Sequence, residues 1–237
     1  MTVTPTVPLL YATGLHANLA SLAAKAYTIT LNTSANDAAG NGLAAPYAFT
    51  FKTLRQISHT VNVSSIIRVY SDGGIYNEFE TSDCNARVGD NLNKHYDRMF
   101  IEFPLTAVPT DVKTFVAATL RMTIFTVGGT PFSTLGSLNV THTNEATFTL
   151  DSILAPGLPP AAGALGVIVS SATPVARSLS VTAAVADDYA NLAQREGRSQ
   201  FRLGFPVGTD NDTVNDYVDF YCVDTNPMQL EMSYLLP

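Results

Sequence analysis

The chain reads as an all-β protein, an antiparallel β-sandwich or jelly roll with one short helix and a strand pair set apart at its N-terminal end. Three observations predict this. Runs of β-branched and aromatic residues recur along all 237 residues, with Gly, Pro, Asn and Asp between them. Strands do not alternate with long helical patterns, as a parallel α/β sheet would require. Hydrophobic residues make up 46% and charged ones only 14%, so the chain is core-rich and its surface is Thr, Ser and Asn rather than charge.

The expected strands follow in order: Ala26–Asn32, Pro46–Leu54, Thr60–Tyr70, Arg98–Pro104, Thr114–Val127, Ser137–His142, Leu165–Ser170, Arg177–Val181, Gln200–Pro206, Asp216–Val223 and Met228–Leu235. Each alternates apolar and polar positions, or is apolar throughout, between turn residues. The helix is expected over Thr182–Glu196. There Val181, Val185, Tyr189 and Leu192 recur at helical spacing, Ser180 or Thr182 can cap the start, and Gly197 can end it. No period of 20–50 residues repeats.

The first strand pair carries a motif. Tyr27-Thr28-Ile29-Thr30-Leu31 is followed by Asp37-Ala38-Ala39-Gly40-Asn41-Gly42-Leu43-Ala44 and then by Tyr47-Ala48-Phe49-Thr50-Phe51-Lys52-Thr53. This resembles the closing strands of a bacterial surface Ig-like domain. Too few residues precede Tyr27 for the earlier strands of such a sandwich. Asp37 and Gly40-Asn41 suit a tight turn, with an Asx bond and positive φ.

The rest of the chain carries a second resemblance. Arg98-Met-Phe-Ile-Glu-Phe-Pro-Leu105, Val116-Ala-Ala-Thr-Leu-Arg-Met-Thr-Ile124, Ser178-Leu-Ser-Val-Thr-Ala-Ala-Val185, Gln200-Phe-Arg-Leu-Gly-Phe205, Asp216–Cys222 and Pro227–Tyr234 match, in order, strands of the DNRLRE family. The resemblance implies a secreted jelly roll related to alginate-type carbohydrate-binding modules. The chain departs from it in having no Trp, where the family carries one near Asn144–Thr147, and in reading Cys222-Val-Asp224 after the penultimate strand. The expected organisation is a partial Ig-like segment over 1–55 and a jelly-roll domain over 56–237.

Net charge is −7 and the pI about 4.9. That disfavours nucleic acid and anionic lipid as partners. The most apolar stretch, Leu154–Ser170, is broken by Pro156, Pro159 and Pro160, so no membrane insertion is expected. The N-terminus lacks the features of a signal peptide, so an exported chain would be numbered from after processing. Cys84 and Cys222 have no metal-ligand spacing. In an exported protein they are expected to form a disulfide, worth roughly 4–5 kcal/mol for so long a loop.

Asp210, Asp212, Asp216 and Asp219 offer clustered oxygens that suit Ca2+, or else a solvated turn. No other cofactor is expected. His16, His59, His95 and His142 are scattered without zinc spacing. Glu78, Glu80, Asp83 and Glu102 are the carboxylates from which a glycosidase pair would have to come. No Gly-x-Ser-x-Gly elbow or phosphate loop occurs, and no enzyme is expected. Tyr70, Tyr76 and Tyr96 fall near loops, where rings stack on sugars. Asn32, Asn62, Asn139 and Asn211 begin N-x-Ser/Thr sequons, read here as a consequence of composition.

Together these features suggest an extracellular, non-catalytic structural protein, a self-assembling surface or filament subunit. A polysaccharide-binding module of a secreted enzyme or adhesin is the competing reading. Assembly would use the apolar, uncharged N-terminal segment, with Val3, Val7, Leu9, Leu10 and Tyr11 contacting a neighbouring copy by strand addition, or that segment would fold back as an extra strand, Val3–Ala12, on the second domain.

Overall fold

A computed structural model describes residues 4–78, 86–145, 163–222 and 227–237, and it is mostly β. The chain divides into two compact units. Unit one holds the residues up to His59, with Thr110–Thr114 and Ser233–Pro237; unit two holds Thr60–Pro109 and Phe115–Met232.

Unit one begins its regular structure at β1 (Ala12–Leu15), which runs parallel to β4 (Arg55–Asn62) from Ala12↔Arg55 to Leu15↔Ser58. A 3-10 turn, His16–Ser21, follows β1. Strands β2 (Ala26–Leu31) and β3 (Tyr47–Lys52) form the expected hairpin in the register Tyr27↔Phe51, Ile29↔Phe49, Leu31↔Tyr47. Its turn is built as the motif predicts. The Asp37 carboxylate accepts the amides of Ala39 (2.8 Å) and Asn41 (2.9 Å), and the Asn41 side chain bonds back at 3.0 Å. That amide holds the Asp37 carboxyl below its ordinary range. Gly40 supplies φ +88.

Unit two contains β5 (Ser65–Tyr70), β6 (Ile75–Asn77), β7 (Ala86–Asp90), β8 (Tyr96–Pro104), β9 (Thr114–Gly128), β10 (Leu138–Thr143), β11 (Gly163–Val169), β12 (Ala176–Ser180), β13 (Arg198–Gly204), β14 (Tyr217–Phe220) and the first half of β15 (Gln229–Leu236). A four-residue helix, α1 (Pro131–Thr134), and a longer one, α2 (Thr182–Ala190), interrupt them. The strands lie in the order β9-β14-β7-β8-β13-β10-β11, with β12 on β9 and β5–β6 on β8. Alternation along β8 buries Met99, Ile101 and Phe103 on one side. They join Leu120, Met122, Ile124, Val140, Phe201, Leu203 and Val218, none more than 1% exposed, in the core.

Several expectations need correction. Arg55–His59, which lies before the strand expected from Thr60, is the start of β4. The single strand expected over Thr60–Tyr70 is two. The chain turns at Val63 and Ser64, whose amides leave for Met228 O (2.9 Å) and Glu102 O (2.8 Å). Strands β1, β6 and β7 were not foreseen, and β1 is parallel. The helix stops at Ala190; turns carry the chain to Gly197 (φ +72), whose amide reaches Leu192 O. Neither Ser180 nor Thr182 caps it. Instead the Thr182 hydroxyl accepts the Ala118 amide at 2.9 Å and fixes the helix to β9.

Candidate functional site: an arginine-lined pocket

The face of unit two opposite Met99 and Ile101 is mixed: a buried cluster of Ile67, Val69 and Phe100 lies on it, with polar side chains of β8, β13 and β10 beside that cluster. Cross-strand register aligns Phe100 with Arg202 and Glu102 with Gln200, and then Arg202 with Thr141 and Gly204 with Asn139. Partners across a ladder project to the same side. Thus Arg98, Phe100 and Glu102 of β8, Gln200 and Arg202 of β13, and Asn139, Thr141 and Thr143 of β10 share one surface.

A pocket of about 350 Å3 opens in this surface, lined by Arg98, Asn139, Thr141, Ala164, Arg202, Gly204, Phe205 and Pro206. Its charged groups are two guanidiniums. Burial holds Arg98 below the ordinary arginine range, against a smaller opposing effect of Tyr96. Burial, and then the charge of Arg98, bring Arg202 down to about 10, while Glu145 works the other way. Two cations side by side in a half-dry site weaken each other. An anion placed between them reverses that cost.

The pocket is pre-shaped by small residues. A Cβ at Gly204 would come 3.1 Å from the Arg98 Cδ, and one at Gly208 2.8 Å from the Tyr96 ring. Arg98 therefore lies across Gly204, and Tyr96 across Gly208. The Arg98 guanidinium sits 6.0 Å from the centre of the Tyr96 ring, and Tyr96 packs on the buried cluster of Ile67, Val69 and Phe100. Among the described residues Arg98 has no carboxylate partner. The nearby acid Glu102 is engaged elsewhere, accepting from Gln200 Nε2 at 2.7 Å and lying 3.3 Å from Arg198.

The arrangement offers planar, multi-donor recognition of a carboxylate or sulfate. The Thr141 hydroxyl and the Asn139 amide, whose Nδ2 donates to Ser137 O at 3.1 Å, add polar groups for neighbouring hydroxyls, and Phe205, Pro206 and Ala164 supply apolar wall. Of the three tyrosines considered for stacking, only Tyr96 stands beside this pocket. Tyr70 and Tyr76 form an edge-on pair (5.0 Å) on the opposite side of the sheet, with Arg68 4.6 Å from the Tyr70 ring.

The candidate carboxylates are not gathered. Glu78 lies 3.5 Å from Arg68, on the face opposite Glu102; Glu80 and Asp83 fall outside the described residues. The Ca2+ candidates divide. Asp210, Asp212 and Asp216 place oxygens within 4.8 Å of one another. Each of those carboxylates already accepts hydrogen bonds. Asp216 takes Thr130 N (2.5 Å) and the Thr134 hydroxyl (2.7 Å), Asp210 takes Asp212 N (3.0 Å), and Asp212 takes Val214 N (2.6 Å). Asp219 departs from the group altogether. It forms a two-pronged pair with Arg87 at 3.0 and 2.8 Å, and Arg87 stacks 3.6 Å above the Tyr217 ring. The strand register causes this, because Asp219 opposes Arg87 across β14–β7.

The histidines also separate. His95 pairs with Asp72 in a loop at 3.1 Å. His142, Asp187 and Asp188 approach as metal ligands would, but Arg195 already supplies the cation, at 2.7 Å from Asp187 and 3.1 Å from Asp188. His16 and His59 stack in unit one.

Val3 and Cys84 lie outside the described residues. Val7, Leu9, Leu10 and Tyr11 are exposed, at 68, 36, 61 and 41%. The main chain of Leu10 is nonetheless tied to its own hairpin, through the Tyr27 hydroxyl (3.1 and 3.3 Å) and Thr53 Oγ1 (3.3 Å). The strand that folds back begins at Ala12, lies within unit one, and does not span Val3–Ala12. Cys222 is buried.

Arg98, Arg202 and Thr141 were not singled out from the sequence. The available signal was the alternation in Gln200-Phe-Arg-Leu-Gly204 and Tyr96-Asp-Arg-Met-Phe100, which sets each arginine opposite the core. That the two meet depends on register. No protein-family model matches the chain, and no curated protein matches it significantly.

Proposed function

We propose that the chain is a non-catalytic extracellular β protein whose unit two binds an acidic polysaccharide. The observation that carries this reading is the Arg98–Arg202 pocket on the β8–β13–β10 face. Its donors suit a charged sugar substituent, and Tyr96 stands beside it as a ring. The resemblance of the strand pattern to the DNRLRE family supports the same reading, and the disulfide expected between Cys84 and Cys222 would belong with it as an export feature.

The self-assembling subunit is the second reading, favoured by a specific feature of unit one. Tyr27, Ile29, Leu31, Tyr47, Phe49 and Phe51 all project from one face of the two-stranded hairpin, with Tyr47 58% and Phe49 43% exposed. A hairpin with such a face is marginal alone, and the exposed Val7–Tyr11 segment lies in the same unit.

Electrophoretic retardation in gels containing a uronic-acid polymer, a sulfated polymer or a neutral glucan separates the readings. Acidic-polymer retardation is expected, to weaken at least about tenfold in Arg98→Ala and in Arg202→Ala, as for loss of a charge-assisted contact, and to fall with salt. Equal retardation by the neutral glucan, or none by any polymer, rejects the binding reading. Concentration-dependent polymers in sedimentation that disappear on deleting residues 1–12 would then support assembly.

A further inference from the structure

In unit one, His16 follows β1 in the 3-10 turn, and His59 lies on β4. Their imidazole rings stack face to face, with centroids 3.8 Å apart and planes 7° from parallel. Both address one hydroxyl. Tyr234 Oη lies 2.8 Å from His16 Nδ1 and 3.5 Å from His59 Nδ1. Tyr234 belongs to β15, is fully buried, and meets the His59 ring edge-on. One residue from each of three segments therefore meets at a single phenol.

That geometry has a defined proton count. A phenol O–H donates one hydrogen bond and accepts others, and a neutral imidazole has one N–H and one bare nitrogen. Two neutral rings fit: Tyr234 donates to one Nδ1 and accepts from the other Nδ1–H. A fully protonated ring carries N–H on both nitrogens. Once both rings are protonated, neither ring can accept from the hydroxyl, and two cations lie 3.8 Å apart.

Among the described residues of the elements packed against the pair, no carboxylate faces it. The turn His16–Ser21 and β1 contain no charged residue. Along β4 the charged residue on the same face is Arg55, another cation, whose guanidinium is committed to the oxygens of Pro237 (2.7 Å) and Leu22 (3.1 Å). From β15 the group facing the rings is Tyr234 itself. On the segment bonded to β15 through Lys113 N, the Asp111 and Lys113 side chains are exposed.

We propose that His16, His59 and Tyr234 form an acid-released clasp, which holds β1 on the edge of β4 near neutral pH and lets it go when the rings protonate. The tie it supplements is short. β1 is four residues long and pairs with β4 over four positions. Its release would bare the Arg55–Ser58 edge of β4 and free an extended segment, the two halves of a strand exchange between copies.

The sign follows from the folded state. Burial, and then the charge of His16, bring His59 down from 6.5 to about 4. A group whose folded value lies below its unfolded one stabilises the fold fully above the unfolded value. That stability is lost as pH falls from about 6.5 to about 4.

The test is amide hydrogen exchange on the full chain at pH 7.5, 6 and 4.5, corrected for the intrinsic pH dependence of exchange. Residues 12–22 and 55–59 are read against core amides of unit two. Protection of β1 is expected to fall about tenfold or more on acidification in the natural chain, and less than about twofold in His59→Phe, which keeps a stacking ring but binds no proton. A flat profile in the natural chain, or an equal fall in His59→Phe, overturns the clasp. Should His59→Phe not fold, the ring-proton NMR titration of the natural chain decides: a His59 midpoint below about 5 sustains the clasp, and one near 6.5 overturns it.

Discussion

Replacing Asp188 by Ala is expected to cost about 3–5 kcal/mol of unfolding free energy, the amount that follows removal of one partner from a buried ion pair. Asp188 is fully buried on α2. Its carboxylate accepts from His142 Nε2 of β10 (2.8 Å), Arg195 Nε (3.1 Å) and Ser199 Oγ of β13 (2.5 Å). One side chain thus ties the helix to two neighbouring strands. Alanine leaves Arg195, 2% exposed, with Asp187 as its remaining carboxylate, and leaves buried donors on His142 and Ser199 unmatched. Asp187, whose side chain is 40% exposed, makes the internal control: Asp187→Ala is expected to cost about 1 kcal/mol or less. Urea titration followed by circular dichroism measures both, and a cost for Asp188→Ala no larger than that for Asp187→Ala would show that the network does not stabilise the fold.

The same network shows where sequence reasoning stops. The helix was legible because Val181, Val185 and Tyr189 recur at its period, and the first and second are buried as expected. By sequence Asp188 is one more acidic residue of the helix, yet it occupies a core position. Nothing local distinguishes it from the half-exposed Asp187 beside it. The β2–β3 hairpin was legible almost residue by residue, because its turn chemistry is local: Asp37, Gly40 and Asn41 define it within five positions. β1 was not legible, since a parallel partner 43 residues away, Ala12 against Arg55, leaves no mark on Ala12–Leu15. Long-range pairing explains the site in the same way. Asp219 stands close in sequence to Asp216 but opposes Arg87 in the sheet, and Arg98 and Arg202 face one pocket because β8 and β13 pair antiparallel. Where a residue's role is set by its own strand's alternation, the sequence shows it. Where it is set by which strand lies next, only the register does.

Register also produces the second large expected effect, a stability of unit two that rises on acidification. Asp97 pairs with Gly89 and Tyr70 across its two ladders and lies among charged groups at 6% exposure. Arg68 Nε is 3.0 Å away and is shared with Glu78 at 3.5 Å. Burial is the largest influence on the Asp97 carboxyl and pushes it up to about 7, although Arg68 and Arg87 pull it down. Because the folded value exceeds the unfolded one, this group's contribution is complete below about 4 and is lost as pH rises through about 7. The interval from 3.8 to about 7 corresponds to about 4 kcal/mol. Asp90, also raised by burial, acts in the same direction. The expected result is slower exchange of the Ile101 and Phe103 amides at pH 5 than at pH 8, after correction for intrinsic rates. Asp97→Asn, which keeps the neutral shape at every pH, should flatten that difference and match or exceed the natural chain at pH 8. His59 in unit one predicts the opposite trend over an overlapping range. Unit one should therefore loosen over the same acidification that tightens unit two, and a single cooperative change of both units with pH would contradict the Asp97 and His59 assignments together.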